Sequence, residues 1–135
     1  MSFSMSQYRE SADYLRSRLC GFQPEVLMIL GSGLGFLADE LKDAVTVSYG
    51  DIPHFKPSTA PGHKGQFVFG RLEGKAVAVM QGRMHFYEGY SLEEVTYAVR
   101  VLRLLGADKL IVTNAAGCVN LEWSAGTLML IRDHI

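Results

Sequence analysis

Residues 26–35 read VLMILGSGLG, five apolar residues in an unbroken run followed by three glycines in five positions. A continuous apolar run of this kind is typical of a strand that is buried on both faces of a sheet. Glycines at the end of such a strand let backbone N–H groups approach an anion, and they also suit a purely structural turn. The stretch predicts a buried strand, a candidate anion loop and then a helix from about Gly33 to Lys42.

Apolar periodicity on either side of this strand predicts two more helices and five more strands. The helices cover residues 6–19 and the stretch from Ser91 to Gly106, where Ser91 to Glu94 fits a capping box. The strands are predicted at 44–50, 66–72, 75–81, 109–117 and 126–134. The order of elements indicates a single α/β domain over residues 1–135, without an internal boundary, in which helices flank both faces of a mixed, twisted sheet.

The composition is that of an ordinary globular protein, with 135 residues, 48% hydrophobic and 20% charged, and a net charge of −1. A charge so close to zero gives no reason to expect nucleic acid as a partner. No apolar run approaches the about 20 residues of a membrane span, and the N-terminus lacks a signal-peptide pattern, so we expect a cytoplasmic protein without membrane contact. Cys20 and Cys118 form no CxxC motif and are expected to be reduced, structural thiols. No metal site is expected, because no cluster of His and Cys has ligand spacing.

Polar side chains follow several of the predicted strands, in loops that also carry small residues. These are the GSGLG loop (31–35), STAPGHKG (58–65), the QGRMHFYEGY segment (81–90) and the TNAAG loop with its continuation CVN (113–120). In open α/β sheets, ligands bind in the crevice outside the carboxyl ends of the strands. We therefore expect these loops to meet around one ligand, although a lone loop histidine such as His63 is more often simply solvated.

The QGRMHFYEGY segment carries the densest group of polar side chains. Arg83 offers a planar fork that suits phosphate oxygens. In an extended segment successive side chains alternate, so Arg83, His85 and Tyr87 should share one side. Met84 and Phe86 should then pack on the opposite side.

Sharper anion motifs can be tested on the GSGLG loop. A dinucleotide fingerprint needs a third glycine where Phe36 stands, although Asp51 lies 20 residues after Gly31, where a ribose-binding acid is expected. The Walker pattern is absent, and a nucleophile elbow would need glycine in place of Leu30. A small anion such as phosphate fits best, and a dinucleotide-binding module remains an alternative.

Taken together, GSGLG, STAPGHKGQFVFG, QGRMHFYEGY and TNAAG resemble the purine nucleoside phosphorylases, low-molecular-mass homotrimeric branch, in order and spacing over essentially all 135 residues. The resemblance implies a nucleoside phosphorylase-like fold and reversible phosphorolysis. In that reaction phosphate attacks the ribosyl C1′ of a purine (2′-deoxy)ribonucleoside and releases the base with (2-deoxy)ribose 1-phosphate. The resemblance also implies inorganic phosphate as co-substrate, no metal or organic cofactor, a homotrimer, and a role in purine salvage in the cytoplasm.

The resemblance implies roles for individual residues as well. Those assigned to phosphate are Ser32, His63, Arg83, His85 and the backbone N–H of Ala115, with His85 also as a catalytic residue. Those assigned to the nucleoside are Tyr87 for ribose, and Ala115, Ala116 and Gly117 for one wall of the purine pocket. Glu88 matches the family motif and is interpreted as structural.

Two departures limit what the resemblance implies. Cys118 stands where the family has a second glycine, which bears on the conformation of the TNAAG loop. The chain ends at Ile135, next to the last predicted strand, so we expect a fragment of a longer protein. The family's later motifs hold a glutamate and an asparagine that grip the purine, and we therefore expect residues 1–135 alone to be inactive.

Two further readings stay open. One is 5′-methylthioadenosine phosphorylase, a sibling with the same fold and chemistry that generally lacks the HFYEGY part of the segment after Arg83. The other is a non-catalytic fragment that retains only an anion or dinucleotide site.

Overall fold

The computed structural model describes residues 2–57 and 64–135, and its centre is a five-stranded sheet. The strands are β1 (Val26–Ile29), β2 (Lys42–Ser48), β3 (Gln66–Leu72), β4 (Lys75–Gln81) and β5 (Lys109–Val112). The helices are α1 (Met5–Leu19) and α2 (Leu92–Leu105), with short 3₁₀ helices at Gly35–Glu40, Tyr49–Asp51 and Phe86–Glu88.

Strand β1 lies inside the sheet, whose strand order is β2-β3-β4-β1-β5. It pairs in parallel with β4 on one side and with β5 on the other. Strands β3 and β4 form an antiparallel hairpin around Glu73 and Gly74, and β2 pairs antiparallel with β3. The predicted mixed sheet, its buried strand after Pro24 and its hairpin are therefore confirmed.

The strand predicted at 126–134 does not form. These residues have irregular structure and are exposed. A strand needs a neighbour to satisfy its backbone N–H and C=O groups. Within residues 2–57 and 64–135, no strand of the sheet pairs with this segment. The strand predicted from Lys109 similarly ends at Val112, the last residue that pairs with β1.

Both α-helices pack on the same face of the sheet. Leu15 of α1 and Tyr97 of α2 share a buried cluster with Phe67 of β3. The opposite face carries a second cluster, in which Ala38 and Leu41 cover the valine side chains of β1, β3 and β4. Helical residues therefore lie on both faces, but only one face carries α-helices.

The helix predicted from Gly33 to Lys42 is shorter and tighter than expected, a 3₁₀ helix over Gly35–Glu40. At Leu41 the backbone is already extended, with φ −70° and ψ 130°, so that β2 can begin at the next residue. The six residues left between the GSGLG loop and β2 are too few for a stable α-helix, and a short 3₁₀ helix fits that length.

Helix α2 begins and ends where the sequence predicts. The Ser91 hydroxyl accepts a hydrogen bond from the N–H of Glu94 at 3.3 Å, and the Glu94 carboxylate accepts one from the N–H of Ser91 at 2.8 Å. This reciprocal pair is the predicted capping box. Gly106 ends the helix in the left-handed region, with φ 117°.

The surface differs from expectation at the two cysteines. Cys20 and Cys118 are free thiols, as expected, but both are exposed, so the prediction that they are structural is wrong. Cys20 occupies the left-handed position after α1, and Cys118 lies in the irregular segment after β5. No helix in the described ranges has the length and apolar character needed to cross a membrane.

An ion pair between Lys56 and Glu94 ties the segment after the second 3₁₀ helix to the start of α2. The hydrogen bond from Lys56, together with that from Ser91, lowers the pKa of Glu94 to about 2. Because this pKa is depressed, the associated stability is present above the ordinary value of 4.5 and is lost as the pH falls towards 2. Glu94→Gln keeps an acceptor for Ser91 but loses the ion pair, so it should lower the urea midpoint at pH 7, and this deficit should shrink below pH 4.5.

The measurement is a series of urea denaturation curves between about pH 2 and pH 7. Glu93→Gln is the matched control, because it removes the same charge from the same helical turn, while Lys56 pairs with Glu94. A deficit for Glu94→Gln that stays constant across this range would contradict the account.

Candidate active site

The carboxyl ends of β4, β1 and β5 lie together at one end of the sheet, because these strands are neighbours and run parallel. This end of the sheet is called the ligand edge. The GSGLG loop, the QGRMHFYEGY segment and the TNAAG loop therefore leave the sheet side by side. Gln66 at the start of β3 pairs with Gln81 at the end of β4, which brings Lys64 to the same edge. The expected meeting of the loops is thus observed for these segments. Residues 58–63, and with them His63, lie outside the described residues.

A cleft of about 450 Å³ opens along the GSGLG loop. It is lined by Leu30, Gly31, Ser32, Gly33, Gly35, Phe36, Asp39, Lys64, Gln81 and Gly82. Ser32 therefore faces a space that could hold a small anion. Lys64 adds a positive charge and Asp39 a negative one, and the sequence analysis missed both. Lys64 could have been predicted, because it follows His63 in the loop motif GHKG. Asp39 could not, because its sequence context is that of an ordinary exposed acid on a helix.

The backbone of the GSGLG loop offers donors without the help of an α-helix. The N–H of Gly31 donates to the Thr113 hydroxyl at 2.8 Å, and the N–H of Leu34 donates to the carbonyl of Gly31 at 3.2 Å. Among residues 2–57 and 64–135, no acceptor forms a hydrogen bond with the backbone N–H of Ser32 or of Gly33. Only a six-residue 3₁₀ helix follows the loop, in place of the predicted helix from Gly33 to Lys42, so an α-helix dipole adds nothing to these donors.

Gly31 is needed because another strand end passes directly over it. A Cβ atom at this position would lie 2.8 Å from both the Thr113 carbonyl oxygen and the Asn114 Cα. No side chain fits at that distance, so any substitution would force β1 and β5 apart at their carboxyl ends.

Arg83, His85 and Tyr87 lie on one side of their segment, as alternation predicts. Arg83 Nε donates to His85 Nε2 at 3.3 Å, and the rings of His85 and Tyr87 stack with centroids 4.7 Å apart. Met84 is buried, also as predicted. Phe86 is 66% exposed, against expectation, because the chain turns into a 3₁₀ helix there and the alternation stops.

Glu88 binds its neighbour His85 through two hydrogen bonds. Its Oε2 accepts from the His85 backbone N–H at 2.9 Å and from the ring Nδ1 at 2.8 Å. A carboxylate only accepts, so Nδ1 carries the hydrogen of this bond. Nε2 accepts from Arg83 Nε and therefore presents its lone pair to the guanidinium. This geometry fits the structural role that the sequence suggested for Glu88.

Of the described candidate site residues, only Ser32 lines the cleft; Arg83, His85, Tyr87 and the candidate purine-contacting residues lie outside its lining. Ala115, Ala116 and Gly117 are exposed in the irregular segment after β5. Arg83 contacts the start of this segment, since its Nη1 donates to the Thr113 carbonyl at 3.0 Å. The roles of Ala115, Ala116 and Gly117 therefore stay predictions.

Two buried side chains hold these loops from beneath, and sequence reasoning missed both. Gln81 is 5% exposed; its amide nitrogen donates to the Gly35 carbonyl at 2.9 Å, and its oxygen accepts from Gln66 at 2.7 Å. Tyr49 donates through its hydroxyl to the Gly82 carbonyl at 2.7 Å. Each joins residues far apart in the chain, so no local pattern predicts the contact.

Rival sites find less support in the fold. Asp51, which a dinucleotide site would need beside the GSGLG loop, follows β2. That strand stands three places from β1, about 14 Å away at the usual spacing of about 4.8 Å, whereas dinucleotide folds place the corresponding strand next to β1. Among the described side chains, no group of three or more His, Cys, Asp and Glu could hold a metal ion.

Residues 25–135 match the sequence model of a family described as the Phosphorylase superfamily. The chain belongs to this superfamily. The matched region contains all five strands, helix α2 and the three loops at the ligand edge. The superfamily region thus includes every described candidate residue.

Two proteins similar to this chain carry the name purine nucleoside phosphorylase. Purine nucleoside phosphorylase 1 of Bacillus subtilis is 61% identical over 112 residues, which are 83% of this chain and 41% of the relative. Purine nucleoside phosphorylase of Rattus norvegicus is 50% identical over 133 residues, 98% of this chain and 46% of the relative.

Solved structures of the same superfamily share the fold. A purine nucleoside phosphorylase in complex with ribose-1-phosphate superposes with a TM-score of 0.83 at 43% identity. The enzyme from Schistosoma mansoni in complex with acetate superposes with a TM-score of 0.84 at 41% identity. Each match covers 92% of this chain and 45% of the other. The chain therefore spans less than half the length of the relatives it matches.

Tyr49 offers a test of how the ligand edge is supported. Burial raises the pKa of its hydroxyl far above the ordinary value of 10.0, so the native state keeps it neutral. Stability linked to this raised pKa is complete below about pH 10 and falls as the pH rises further, because the unfolded chain ionises there. Tyr49→Phe should lower the free energy of unfolding by about 1–2 kcal/mol at pH 7, since it leaves the Gly82 carbonyl without its donor.

Urea unfolding of both proteins at pH 7 and above pH 10 measures these effects. In Tyr49→Phe the part of the alkaline loss that Tyr49 causes should disappear. Tyr14→Phe, a half-buried position on α1, is the control for removing a phenol hydroxyl. Identical stability of wild type and Tyr49→Phe would show that the hydrogen bond to Gly82 does not support the loop.

Proposed function

We propose that the protein functions as a purine nucleoside phosphorylase, which cleaves purine (2′-deoxy)ribonucleosides with inorganic phosphate. The observation that carries the proposal is that the GSGLG loop and the segment with Arg83 and His85 leave neighbouring parallel strands at the same end of the sheet, where Gly31 and Arg83 both bind Thr113. Relatives at up to 61% identity with that name support it, as does a related structure in complex with ribose-1-phosphate.

In the proposed reaction, a phosphate oxygen bonds to the ribosyl C1′ while the bond from C1′ to the purine breaks and its electron pair leaves with the base. The protein has to hold the nucleophile in place rather than supply one. Ser32 and the adjacent N–H groups would bind phosphate oxygens, and Arg83 would supply the planar, charged donor. The phosphate dianion then stabilises the positive charge that develops on the sugar.

His85 is proposed as the catalytic residue in the phosphate site. With Nδ1–H held by Glu88, its Nε2 presents a lone pair, which accepts a hydrogen bond or a proton from phosphate. Phosphate would take the place of the Arg83 Nε contact at this atom. His85 thereby keeps the anion in its more nucleophilic form.

The remaining residues complete the proposed site. We assign the ribose contact to Tyr87, which is 82% exposed and stacked on His85. Lys64 adds positive charge beside Ser32. We propose His63 as a further phosphate contact, and Ala115 to Gly117 as one wall of the purine pocket, with the N–H of Ala115 on phosphate.

The same proposal covers the setting of the reaction. It includes a single domain over residues 1–135, phosphate as the only co-substrate with no metal or organic cofactor, a homotrimer, and a role in purine salvage in the cytoplasm without membrane or nucleic acid partners. The resemblance of the four loop motifs supports these points.

Arg83→Met in the full-length protein should raise the phosphate KM about tenfold to a hundredfold, or abolish turnover, because a charged donor to the anion is lost. The assay is inosine phosphorolysis at varied phosphate. Arg71→Met is the control, since Arg71 is an exposed arginine near the end of β3, at the end of the sheet opposite the candidate site. Unchanged phosphate kinetics in Arg83→Met would show that the phosphate site is misassigned.

Residues 1–135 alone should bind phosphate but release no hypoxanthine from inosine, because the purine grip is expected from other residues. Calorimetry with phosphate and a base-release assay on the purified chain measure the two properties. The same assay with guanosine, adenosine and 5′-methylthioadenosine on the full-length protein separates the nucleoside enzyme from its sibling. Inosine turnover by the isolated chain would contradict the division of labour proposed here.

A further inference from the structure

Thr113, the residue after β5, binds two other strand ends at once. Its backbone N–H donates to the Ile29 carbonyl at 3.0 Å, and its hydroxyl donates to the same oxygen at 3.0 Å. The hydroxyl oxygen also accepts the N–H of Gly31 at 2.8 Å. Its carbonyl accepts Nη1 of Arg83 at 3.0 Å. One residue therefore contacts the end of β1, the start of the GSGLG loop and the candidate phosphate-binding arginine.

The hydroxyl fixes the direction of the GSGLG backbone. Gly31 N–H points towards β5 because the Thr113 hydroxyl accepts it, and this fixes the Leu30–Gly31 peptide plane from which the loop begins. A hydroxyl is suited to this position because it both donates and accepts, and here it does both. A methyl group of the same size would leave the Gly31 donor without a partner.

The carbonyl fixes the guanidinium of Arg83. Arg83 uses Nη1 on the Thr113 carbonyl, so this end of the guanidinium stays held even where phosphate replaces the Nε contact with His85. The rest of the planar fork remains for a ligand. A preorganised donor loses less entropy on binding than a free side chain.

We propose that Thr113 is a positioning residue that couples the GSGLG loop to Arg83, so that one phosphate meets both in a single geometry. The inference rests on the proposed function only in taking phosphate as the anion. Thr113 acts through Gly31 and Arg83 and need not touch the substrate.

Three variants of the full-length protein test the proposal. Thr113→Val removes the hydroxyl but keeps the branched shape, and Thr113→Ser keeps the hydroxyl. The control Thr46→Val makes the same change on β2, the strand farthest from β5 in the sheet. Thr113→Val should weaken phosphate binding about tenfold, equivalent to about 1.4 kcal/mol. Thr113→Ser should bind within about twofold of the wild type, the size of effect expected when the hydrogen bonds are kept, and Thr46→Val should match the wild type.

The readouts are the phosphate Kd by calorimetry, the KM values for phosphate and inosine, and the thermal midpoint. Support requires a rise in phosphate Kd and KM with the inosine KM unchanged, and rescue by serine. Equal phosphate affinity in Thr113→Val and wild type would overturn the inference. A parallel rise in the KM values for phosphate and inosine that tracks a fall in the thermal midpoint would overturn it as well. If Thr113→Val does not fold, Thr113→Ala decides by the same readouts.

The outcomes also separate this inference from the proposed function. A wild-type protein that binds phosphate but does not cleave inosine refutes the phosphorylase proposal, while the phosphate Kd of the variants still decides the role of Thr113. A wild-type protein that binds no phosphate overturns both.

Discussion

The parallel pairing of β1 with both β4 and β5 is the constraint on which the ligand edge depends. Parallel neighbours end at the same edge, so three loops from distant parts of the chain leave the sheet together. Gly31 makes this meeting close, because the absence of a Cβ lets the end of β5 pass over the start of the GSGLG loop. The antiparallel hairpin adds Lys64 from the opposite direction. The candidate site is a direct consequence of strand order.

The charges at this edge form a chain from a carboxylate to a cation. Glu88 holds one nitrogen of His85, and the other nitrogen meets Arg83. An imidazole between a carboxylate acceptor and a guanidinium donor has a defined tautomer and a defined orientation. His85 is thus oriented by Glu88, three residues away, while Arg83 is oriented by the more distant Thr113. A local contact therefore positions His85, and a long-range contact positions Arg83.

Local patterns in the sequence were enough to predict the strands around Glu73, the capped helix α2 and the shared side of Arg83, His85 and Tyr87, because each depends on neighbouring residues. Predictions failed where an element depends on distant partners. The 126–134 segment has strand character but no strand beside it among the described residues. Phe86 is exposed for a local reason, because it begins a 3₁₀ helix that alternation does not show. The supporting contacts of the site join residues too distant in sequence for any short motif to reveal.

The pairing of β1 also bears on how the molecule folds. The hairpin of β3 and β4 closes through a two-residue turn, whereas β1 pairs Val26 with Val77 and with Lys109, far along the chain. Contacts between distant residues carry a larger entropy of loop closure and form more slowly than local ones. Strand β1 is therefore synthesised first among the strands but pairs only after both of its partners are made. The end of the sheet where the three loops meet thus carries the larger cost of loop closure.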